Sequence, residues 1–400
     1  MERENSETIL IIIERFDKSN NIVLFDFVDS NAFETFNSLL DLQYDWINNP
    51  NMIQVTNYKQ KKIREGTVYR VAFDVLRSLK DRISLVKESF IIGFSIQLDD
   101  NDLSLFGKSK SFNDSEKLLL GIEEPFKPFY NNLDLGVSKL SEIVIRNIGQ
   151  GSWNELLADK KYEIIFDIGT IYTTSKTAIQ TLIGNRDKEY QKSKPILLLS
   201  HWDVDHYHFL LALEDNTIKS FEAFIYRGIL PNLTARKALG RFKMLNHKKL
   251  FPVSPESPLP KRSSSKLKQL TTSPNSAVLI YNASKNASRN RSGLGLAIRK
   301  ISTSVIFSAD FNYSQVSNYI LPDLNYPCDH YLIVPHHGGN AGKFEYKINL
   351  QNRLIEAIIS VGKNPYKPRH PYSKNIQELK KTGFKIVRTD NISSDYIINL

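Results

Sequence analysis

The chain has 400 residues and a formal net charge of +10; 41% of its residues are hydrophobic and one is a cysteine. This length suggests two domains with proper cores, and a single cysteine excludes an intrachain disulfide or a thiolate metal cluster. The longest aliphatic runs, such as residues 9–13, are too short to cross a bilayer. We therefore expect a cytoplasmic protein that does not associate with membranes.

Residues 1–135 are predicted to form a small α+β domain, and no motif in them indicates a chemical activity. Apolar alternation and helical periodicity carry this prediction. Strands are expected at residues 9–13, 22–27 and 90–98, and helices at 32–46 and 69–85. A structural or docking role is the simplest interpretation, so this domain is our candidate for binding a protein partner.

Residues 141–400 are predicted to form a second, α/β domain. Its first two strands flank a Gly-Gln-Gly turn at residues 149–151, where glycine permits a positive φ and a close backbone approach. Strands are predicted at residues 143–147, 162–167, 196–199, 221–226, 277–281, 295–298, 305–307, 384–387 and 396–399. Helices are predicted at 207–213, 349–358 and 373–381, the last one ended by Gly383.

A cluster of metal-ligand residue types follows the apolar run at 196–199. Residues 201–206 read His-Trp-Asp-Val-Asp-His, which places four imidazole and carboxylate groups at the end of one buried strand. Bringing so many polar groups together without water is costly unless a cation satisfies them. A polar loop with a few histidines is the alternative. The sequence favours the first half of a di-metal hydrolase site.

Three later segments supply the ligand types that a second half needs, and they come in a consistent order. Asp310 follows an apolar run, His336 and His337 follow another, and His370 precedes Pro371. Carboxylates and imidazoles at strand ends are typical of such centres. The order therefore strengthens the prediction of two metal ions.

Positive charge is concentrated between residues 231 and 300, which hold 15 Lys and Arg against one acidic residue, a net charge of +14. We interpret this segment as a basic insertion in the second domain. A cationic segment beside a metal site suits a polyanion, because phosphate contacts dominate nucleic-acid affinity. A solvated surface without a partner is the alternative. Candidate nucleic-acid contacts are Arg241, Lys243, Lys248, Lys249 and Arg291.

Taken in order, these motifs resemble the metallo-β-lactamase fold and, within it, the hydrolase domain of ComEC-type competence proteins. That branch has His-x-Asp-x-Asp-His, as here at residues 201–206. The other matching segments are 148–151, 167–169, Ala309-Asp310, 335–339, His370-Pro371, Gly383 and 388–390. The resemblance covers residues 141–400 and implies a four-layer αββα sandwich. ComEC proteins carry a membrane channel that this chain lacks, so a role in DNA uptake does not transfer.

The expected ligand set follows from these motifs. We assign His201 and Asp203 to one metal, Asp205 and His206 to the other, and Asp310 to a bridging position. One of the adjacent pair His336 and His337 completes the second metal, and the choice between them stays open at this point. We place His336 among the ligands, and Asp205, His337 and His370 among the catalytic residues. A structural role for His370 is equally compatible with the sequence.

Other residues have lesser expected roles. Asp167 is expected to orient a ligand histidine, as outer carboxylates commonly do. His208, His247 and His330 are expected to lie outside the site. Replacing a histidine by Asp203 hardens the ligand set, which favours Mn²⁺ over Zn²⁺ without excluding Zn²⁺.

The sequence predicts a metal-dependent phosphodiesterase or nuclease, with DNA favoured over RNA. One alternative is hydrolysis of a small substrate such as a cyclic nucleotide, a thioester or a lactam, which leaves the basic segment unexplained. Another is a partner-gated module in which residues 1–135 dock a second protein. A free cytoplasmic nuclease endangers its host, which suggests partner control, for example as the effector of an antiviral defence system.

Overall fold

The protein is described here by a computed structural model, which covers residues 7–59, 63–99, 105–108, 139–254, 266–271, 276–284, 292–343, 353–362 and 370–400. The chain divides into two compact units. The first contains residues 1–122, 172–181 and 229–241, and the second contains residues 123–171, 182–228 and 242–400.

The first unit is built on a seven-stranded sheet with the strand order β5-β6-β3-β2-β1-β4-β7. Alternate residues of β1 and β2 and the helix α1 bury aromatic and aliphatic side chains on one face of this sheet, among them Phe27, Phe33 and Phe36. The elements are β1 (Thr8–Asp17), β2 (Ile22–Phe27), α1 (Ser30–Leu39), β3 (Met52–Thr56), β4 (Val68–Ala72), α2 (Phe73–Ser78), β5 (Ile83–Leu85), β6 (Ile92–Gln97) and β7 (Gly107–Lys108). This arrangement confirms the α+β prediction.

The predicted helix at 69–85 is largely wrong. Only α2 is helical there, because Val68 to Ala72 pair with β1 as an antiparallel strand. The helix predicted at 32–46 is shorter than expected, since α1 ends at Leu39 and Asp41 takes a left-handed backbone conformation (φ 52°).

A buried polar cluster completes the first unit. Asp26 on β2 is fully buried, and its carboxylate accepts hydrogen bonds from Asn51 Nδ2 (2.7 Å) and from the backbone N–H of Thr234 (2.9 Å). Burial raises the pKa of Asp26 to about 7. Because Thr234 comes from residues 229–241, that distant segment supplies part of this unit's own polar network.

The second unit contains two seven-stranded sheets, ordered β13-β12-β11-β10-β9-β8-β21 and β14-β15-β16-β17-β18-β19-β20. The strands are β8 (Glu142–Ile145), β9 (Trp153–Ala158), β10 (Lys161–Ile168), β11 (Ile196–Leu199), β12 (Ala223–Arg227), β13 (Leu250–Val253), β14 (Leu267–Gln269), β15 (Val278–Ala283), β16 (Leu294–Arg299), β17 (Thr303–Phe307), β18 (Asp329–Ile333), β19 (Arg353–Ile359), β20 (Lys385–Arg388) and β21 (Tyr396–Asn399). The helices from residue 176 onward are α3 (Lys176–Ile183), α4 (Arg186–Ser193), α5 (Val204–Tyr207), α6 (Asp215–Ser220), α7 (Leu233–Asn246), α8 (Tyr313–Gln315) and α9 (Ser373–Thr382).

The two sheets of this unit pack face to face. Phe166 and Ile225 of one sheet share a core with Phe307 and Ile358 of the other. Helices cover both outer faces: Tyr190 of α4 bonds to Trp153 of β9, and Leu379 of α9 joins the outer core of the second sheet. These four layers confirm the predicted αββα sandwich.

One predicted element of this unit has the wrong type. The helix expected at 349–358 is a strand, β19, over its described residues, and β19 lies parallel between β18 and β20. Interior parallel strands are buried on both faces and read as continuous apolar runs, which periodicity cannot separate from a buried helix.

Parallel pairing defines two edges of the sandwich. Strands β10 to β13 run parallel, as do β17 to β20. We call the edge where these strands end the ligand edge and the edge where they begin the opposite edge. Described parts of the basic 231–300 segment form β13 to β16, so they belong to the sheets and are not added to them. No helix among the described residues combines the length and apolarity needed to span a bilayer.

Candidate metal centre

The His-Trp-Asp-Val-Asp-His segment begins one residue after β11 and enters the short helix α5 at the ligand edge. Its backbone crosses the end of β10 at Gly169. A Cβ on Gly169 would collide with the backbone of Asp205 and His206. Glycine at this position is therefore a steric requirement for bringing the segment to the strand ends.

Two overlapping groups of ligand atoms lie at this edge. His201, His206 and Asp310 form the first group, and Asp205, His206 and His337 form the second. Within each group the ligand atoms lie within 4.8 Å of one another. The side chains come from the ends of β11, β17 and β18, so parallel strands position all of them.

The spacing of these atoms fits metal coordination better than hydrogen bonding. His206 Nε2 lies 3.3 Å from Asp310 Oδ1, His201 Nε2 lies 3.7 Å from Asp310 Oδ2, and His337 Nε2 lies 3.5 Å from Asp205 Oδ2. Ligand bonds of about 2.0 to 2.2 Å in a tetrahedral site put neighbouring donors about 3.3 to 3.6 Å apart. These pairs thus have the separation of two ligands on one ion.

The imidazole nitrogens that face this space are buried and lack hydrogen bonds. The Nε2 atoms of His201, His206 and His337 have no hydrogen-bond partner among the residues that the structure describes. Leaving three buried nitrogens in this state is costly. A divalent cation satisfies all three, so the residues present fit a metal centre.

The opposite ring nitrogens are held by hydrogen bonds, which leave the Nε2 lone pairs for metal. Nδ1–H of His206 donates to Asp167 Oδ2 (2.8 Å), and Nδ1–H of His337 donates to the carbonyl of Ser360 (3.0 Å). Ser200 Oγ donates to Asp167 Oδ2 (2.9 Å) and accepts from Nδ1–H of His201 (2.9 Å). Fixing the tautomer in this way is the usual task of outer-shell partners.

Asp167 therefore has the position that we expected of it, whereas sequence reasoning did not single out Ser200 or Ser360. Ser200 directly precedes the ligand segment, and that position was the available signal. No pattern in the sequence pointed to Ser360. A cavity of about 20 Å³ lies beside His206 and His337 and is also lined by Asn154 and Ser360.

The adjacent histidines 336 and 337 separate into different positions. The sequence analysis placed His336 among the ligands and His337 among the catalytic residues. The structure instead places His337 in a ligand group, whereas His336 Nδ1 hydrogen-bonds Asp310 Oδ2. Both residues have left-handed backbone angles (φ 52°), and this turn directs neighbouring side chains to different partners.

His370 lies beside His336 and outside both ligand groups. The two rings meet edge to face with centroids 5.2 Å apart. A Cβ on Gly339 would collide with both rings, so glycine makes room for this pair. At 26% exposure the His336 side chain is far more accessible than those of His201, His206 and His337.

The electrostatics of the centre favour ionised carboxylates. Burial acts to raise the pKa of Asp310, but His336 and His206 outweigh it and hold that pKa well below its usual range. Burial likewise acts to raise the pKa of Asp205, and His206 and His337 lower it. Anionic oxygens are the form that binds divalent cations.

The remaining histidines lie elsewhere. His208 is buried, its Nδ1 lies 3.3 Å from the carbonyl of Thr170, and burial lowers its pKa to about 4. His247 is exposed in the turn before β13, and His330 lies at the start of β18 on the opposite edge. None of the three belongs to a ligand group among the described residues.

Several predicted nucleic-acid contacts do not lie beside the ligand groups. Lys249 precedes β13 and hydrogen-bonds the carbonyl of Phe221 (3.1 Å), which precedes β12, so it lies at the opposite edge. Lys243 is in the last turn of α7, which leads to that edge. Arg241 is also on α7, Lys248 is in the following turn, and Arg291 lies outside the described residues. Strand direction, invisible in a charge count, causes this difference.

No family model matches the chain, and neither does any curated protein. Among solved structures, the metallo-β-lactamase fold protein YhfI from Bacillus subtilis is 13% identical, with a TM-score of 0.35; the match covers 65% of this chain and 100% of that one. A mutant of the CmlA β-hydroxylase is 10% identical, with a TM-score of 0.36 and coverage of 98% and 76%. CmlA, a diiron β-hydroxylase from Streptomyces venezuelae, is 11% identical, with a TM-score of 0.31 and coverage of 65% and 54%.

Likenesses this weak carry no argument about fold or function. The metallo-β-lactamase-like sandwich rests instead on the four layers and on the ligand groups at the ends of its parallel strands.

Proposed function

We propose that the protein is a dinuclear, metal-dependent phosphodiesterase that cuts nucleic acid. The position of Asp310 carries this proposal. Its Oδ1 lies 3.3 Å from His206 Nε2 and its Oδ2 lies 3.7 Å from His201 Nε2, so one carboxylate stands between two ligand groups. Two divalent ions, Mn²⁺ or Zn²⁺, would supply Lewis-acid activation of water and charge neutralisation of a phosphate when bound.

The side chains divide into holding and reacting roles. His201, Asp203 and Asp310 would hold one ion, and Asp205, His206 and His337 the other, with Asp310 shared. This arrangement gives His337 a ligand role and moves its proposed catalytic role to His336.

His336 is the accessible imidazole of the centre, and Asp310 holds its Nδ1. We assign it to hydrogen-bond a non-bridging phosphate oxygen and to protonate the leaving alkoxide, the tasks of a general acid. His370 packs against its ring and supports that position.

The basic segment supports a polyanionic substrate, because its connections start and finish at the ligand edge. Strand β13 ends and β14 begins there, and Asn282 Nδ2 donates to the carbonyl of Ser254 (2.9 Å). Strand β15 ends and β16 begins there too, and the N–H of Leu294 donates to the carbonyl of Ser200 (2.8 Å). The sequence of these two connections includes Lys261, Arg262, Lys266, Lys285, Arg289 and Arg291. Such charge suits phosphate contacts, which supply most nucleic-acid affinity.

The resemblance to the ComEC hydrolase domain favours DNA as the substrate over RNA. A nuclease in the cytoplasm needs restraint, so we further propose control by a protein partner that docks on the first unit. An effector of an antiviral defence system is the setting in which such control is most useful.

Cleavage of labelled single- and double-stranded DNA and RNA tests this function. The protein is assayed with Mn²⁺, Zn²⁺, Mg²⁺ or a chelator, beside an Asp205→Ala, His206→Ala double variant and a His247→Ala control at an exposed histidine. We expect metal-dependent cutting that the double variant loses and the control retains. Metal binding without cutting of any polymer would contradict the nuclease proposal and favour a small substrate or a missing partner.

A further inference from the structure

The two ligand groups share one histidine, and this overlap has consequences for the metals. We infer that the ions bind unequally: a tight, zinc-preferring ion at Asp205, His206 and His337, and a weak, manganese-accepting ion at His201, Asp203 and Asp310. This inference rests on the proposed dinuclear centre, and it concerns metal binding and not cleavage.

His206 can serve only one of the two ions. Its Nδ1–H is engaged by Asp167 at 2.8 Å, so Nε2 is the only nitrogen with a lone pair for metal. Both ligand groups nevertheless include His206. An imidazole nitrogen donates one lone pair to one ion, so the groups cannot both be satisfied as they stand.

The other ligands decide which ion takes His206. Without it, the second group keeps only Asp205 and His337. The first group has a further oxygen donor within reach, since Asp203 Oδ2 lies 3.6 Å from His201 Nε2, the spacing of two ligands on one ion. Giving His206 to the second group therefore leaves each ion with three protein side chains.

The two resulting ligand sets differ in character. One has two imidazoles and a carboxylate, and the other has one imidazole and two carboxylates, one of which, Asp310, it shares. Imidazole-rich sites suit Zn²⁺, whereas oxygen-rich sites suit Mn²⁺ and similar hard ions. Asp203 is thus the residue that sets the inequality, because a histidine there would restore a second imidazole to the weak position.

The test measures metal binding without any nucleic acid. Metal-free protein is titrated with Zn²⁺ and separately with Mn²⁺ by calorimetry, and metal content is measured after dialysis. We expect two Zn²⁺ steps that differ at least about tenfold in affinity, a gap of about 1.4 kcal/mol. Only the first equivalent should survive dialysis, and Mn²⁺ should replace the second more readily than the first.

Three variants separate the two positions. Asp203→His should tighten the second step until two equivalents of Zn²⁺ survive dialysis. Asp203→Asn should weaken the second step and leave the first unchanged, which keeps the test valid if the histidine variant misfolds. His337→Ala should remove the first step, and His247→Ala should bind as the unchanged protein does.

Two Zn²⁺ ions bound with equal affinity would overturn the inference, as would an Asp203→Asn variant that loses the tight step. These outcomes are distinct from failure of the proposed function. Unequal binding in a protein that cuts no nucleic acid leaves the inference standing, and equal binding in an active nuclease refutes the inference alone.

Discussion

The two edges of the sandwich each contain a buried histidine beside a serine, yet the two histidines are treated oppositely. At the ligand edge, His206 lies 2.8 Å from Asp167; burial acts to lower its pKa, but Asp167 and Asp310 raise it well above its usual value. At the opposite edge, His330 Nδ1 lies 2.7 Å from Ser304 Oγ, and burial lowers its pKa to about 4.

Residue type and burial are therefore not what separates a metal centre from a structural histidine. The difference is where the carboxylates are. At the ligand edge they lie beneath imidazoles and stay buried, whereas at the opposite edge Asp329 pairs with Arg353 at an exposed position. The end of a parallel strand collects charge from several chain segments, and the predictions below test whether this collection is what matters.

The largest effect is expected from Asp310→Ala, with Asp329→Ala as its counterpart at the opposite edge. Asp310 touches both ligand groups, so its loss should weaken both ions and reduce metal-dependent activity by more than the about 10- to 100-fold typical of outer-shell partners. Activity and bound metal are measured together. Equal losses in the two variants would remove the distinction between the edges.

His330→Asn tests the opposite edge through the pH dependence of stability. A pKa lowered from 6.5 to about 4 means that the unfolded chain binds the proton first as pH falls. The contribution of His330 is thus complete above pH 6.5 and is lost toward pH 4, by about 3 kcal/mol in total. The free energy of unfolding of the variant should fall less over this range, measured by denaturant titration.

An exposed histidine provides the control for that measurement. His247→Asn should show the acid dependence of the unchanged protein. If His330→Asn also showed it, burial at the opposite edge would not perturb this imidazole.

Asp167→Asn should weaken metal binding by about 10- to 100-fold, because the amide no longer offers two acceptor oxygens to Ser200 and His206. Calorimetric titration with Zn²⁺ measures the change. Ser304→Ala removes the matching hydrogen bond to His330 at the opposite edge and should leave metal affinity unaltered. An Asp167→Asn variant with full affinity would show that the tautomer of His206 is fixed in some other way.

The smallest effects are expected from two lysines. Lys266 is exposed at the ligand edge, where its backbone N–H donates to Ser284 Oγ (3.0 Å), whereas Lys249 lies at the opposite edge. Lys266→Ala should reduce the salt dependence of DNA binding by about one phosphate contact, and Lys249→Ala should leave it unchanged. The slope of affinity against salt concentration measures both. The reverse ranking would mean that nucleic acid binds away from the metals.

Much of this centre could be predicted from the sequence, because metal chemistry needs particular residue types at strand ends. Asp205, His206 and Asp310 lie together as that chemistry requires. His336 and His337 could not be separated in advance, since they are chemically identical neighbours and only two left-handed backbone angles distinguish them.

Features that depend on strand direction were beyond the sequence. The charge of Lys249 says nothing about which edge β13 begins at, and only the parallel pairing of β12 and β13 places it. The run around Ile358 fits a buried helix as well as a buried strand, and its partners β18 and β20 decide the outcome. Local composition predicts an element's burial more readily than its partners.

The contact between Asp26 and Thr234 has a consequence for how the polypeptide is made. Chains emerge from the ribosome with the N-terminal end first, so the sheet of the first unit is synthesised long before residues 229–241, which belong to the same unit. Until then the buried carboxylate of Asp26 lacks the backbone donor that Thr234 provides. A chain shortened to end before residue 229 would keep this defect permanently, and the first unit therefore matures only after strands β8 to β12 have been translated.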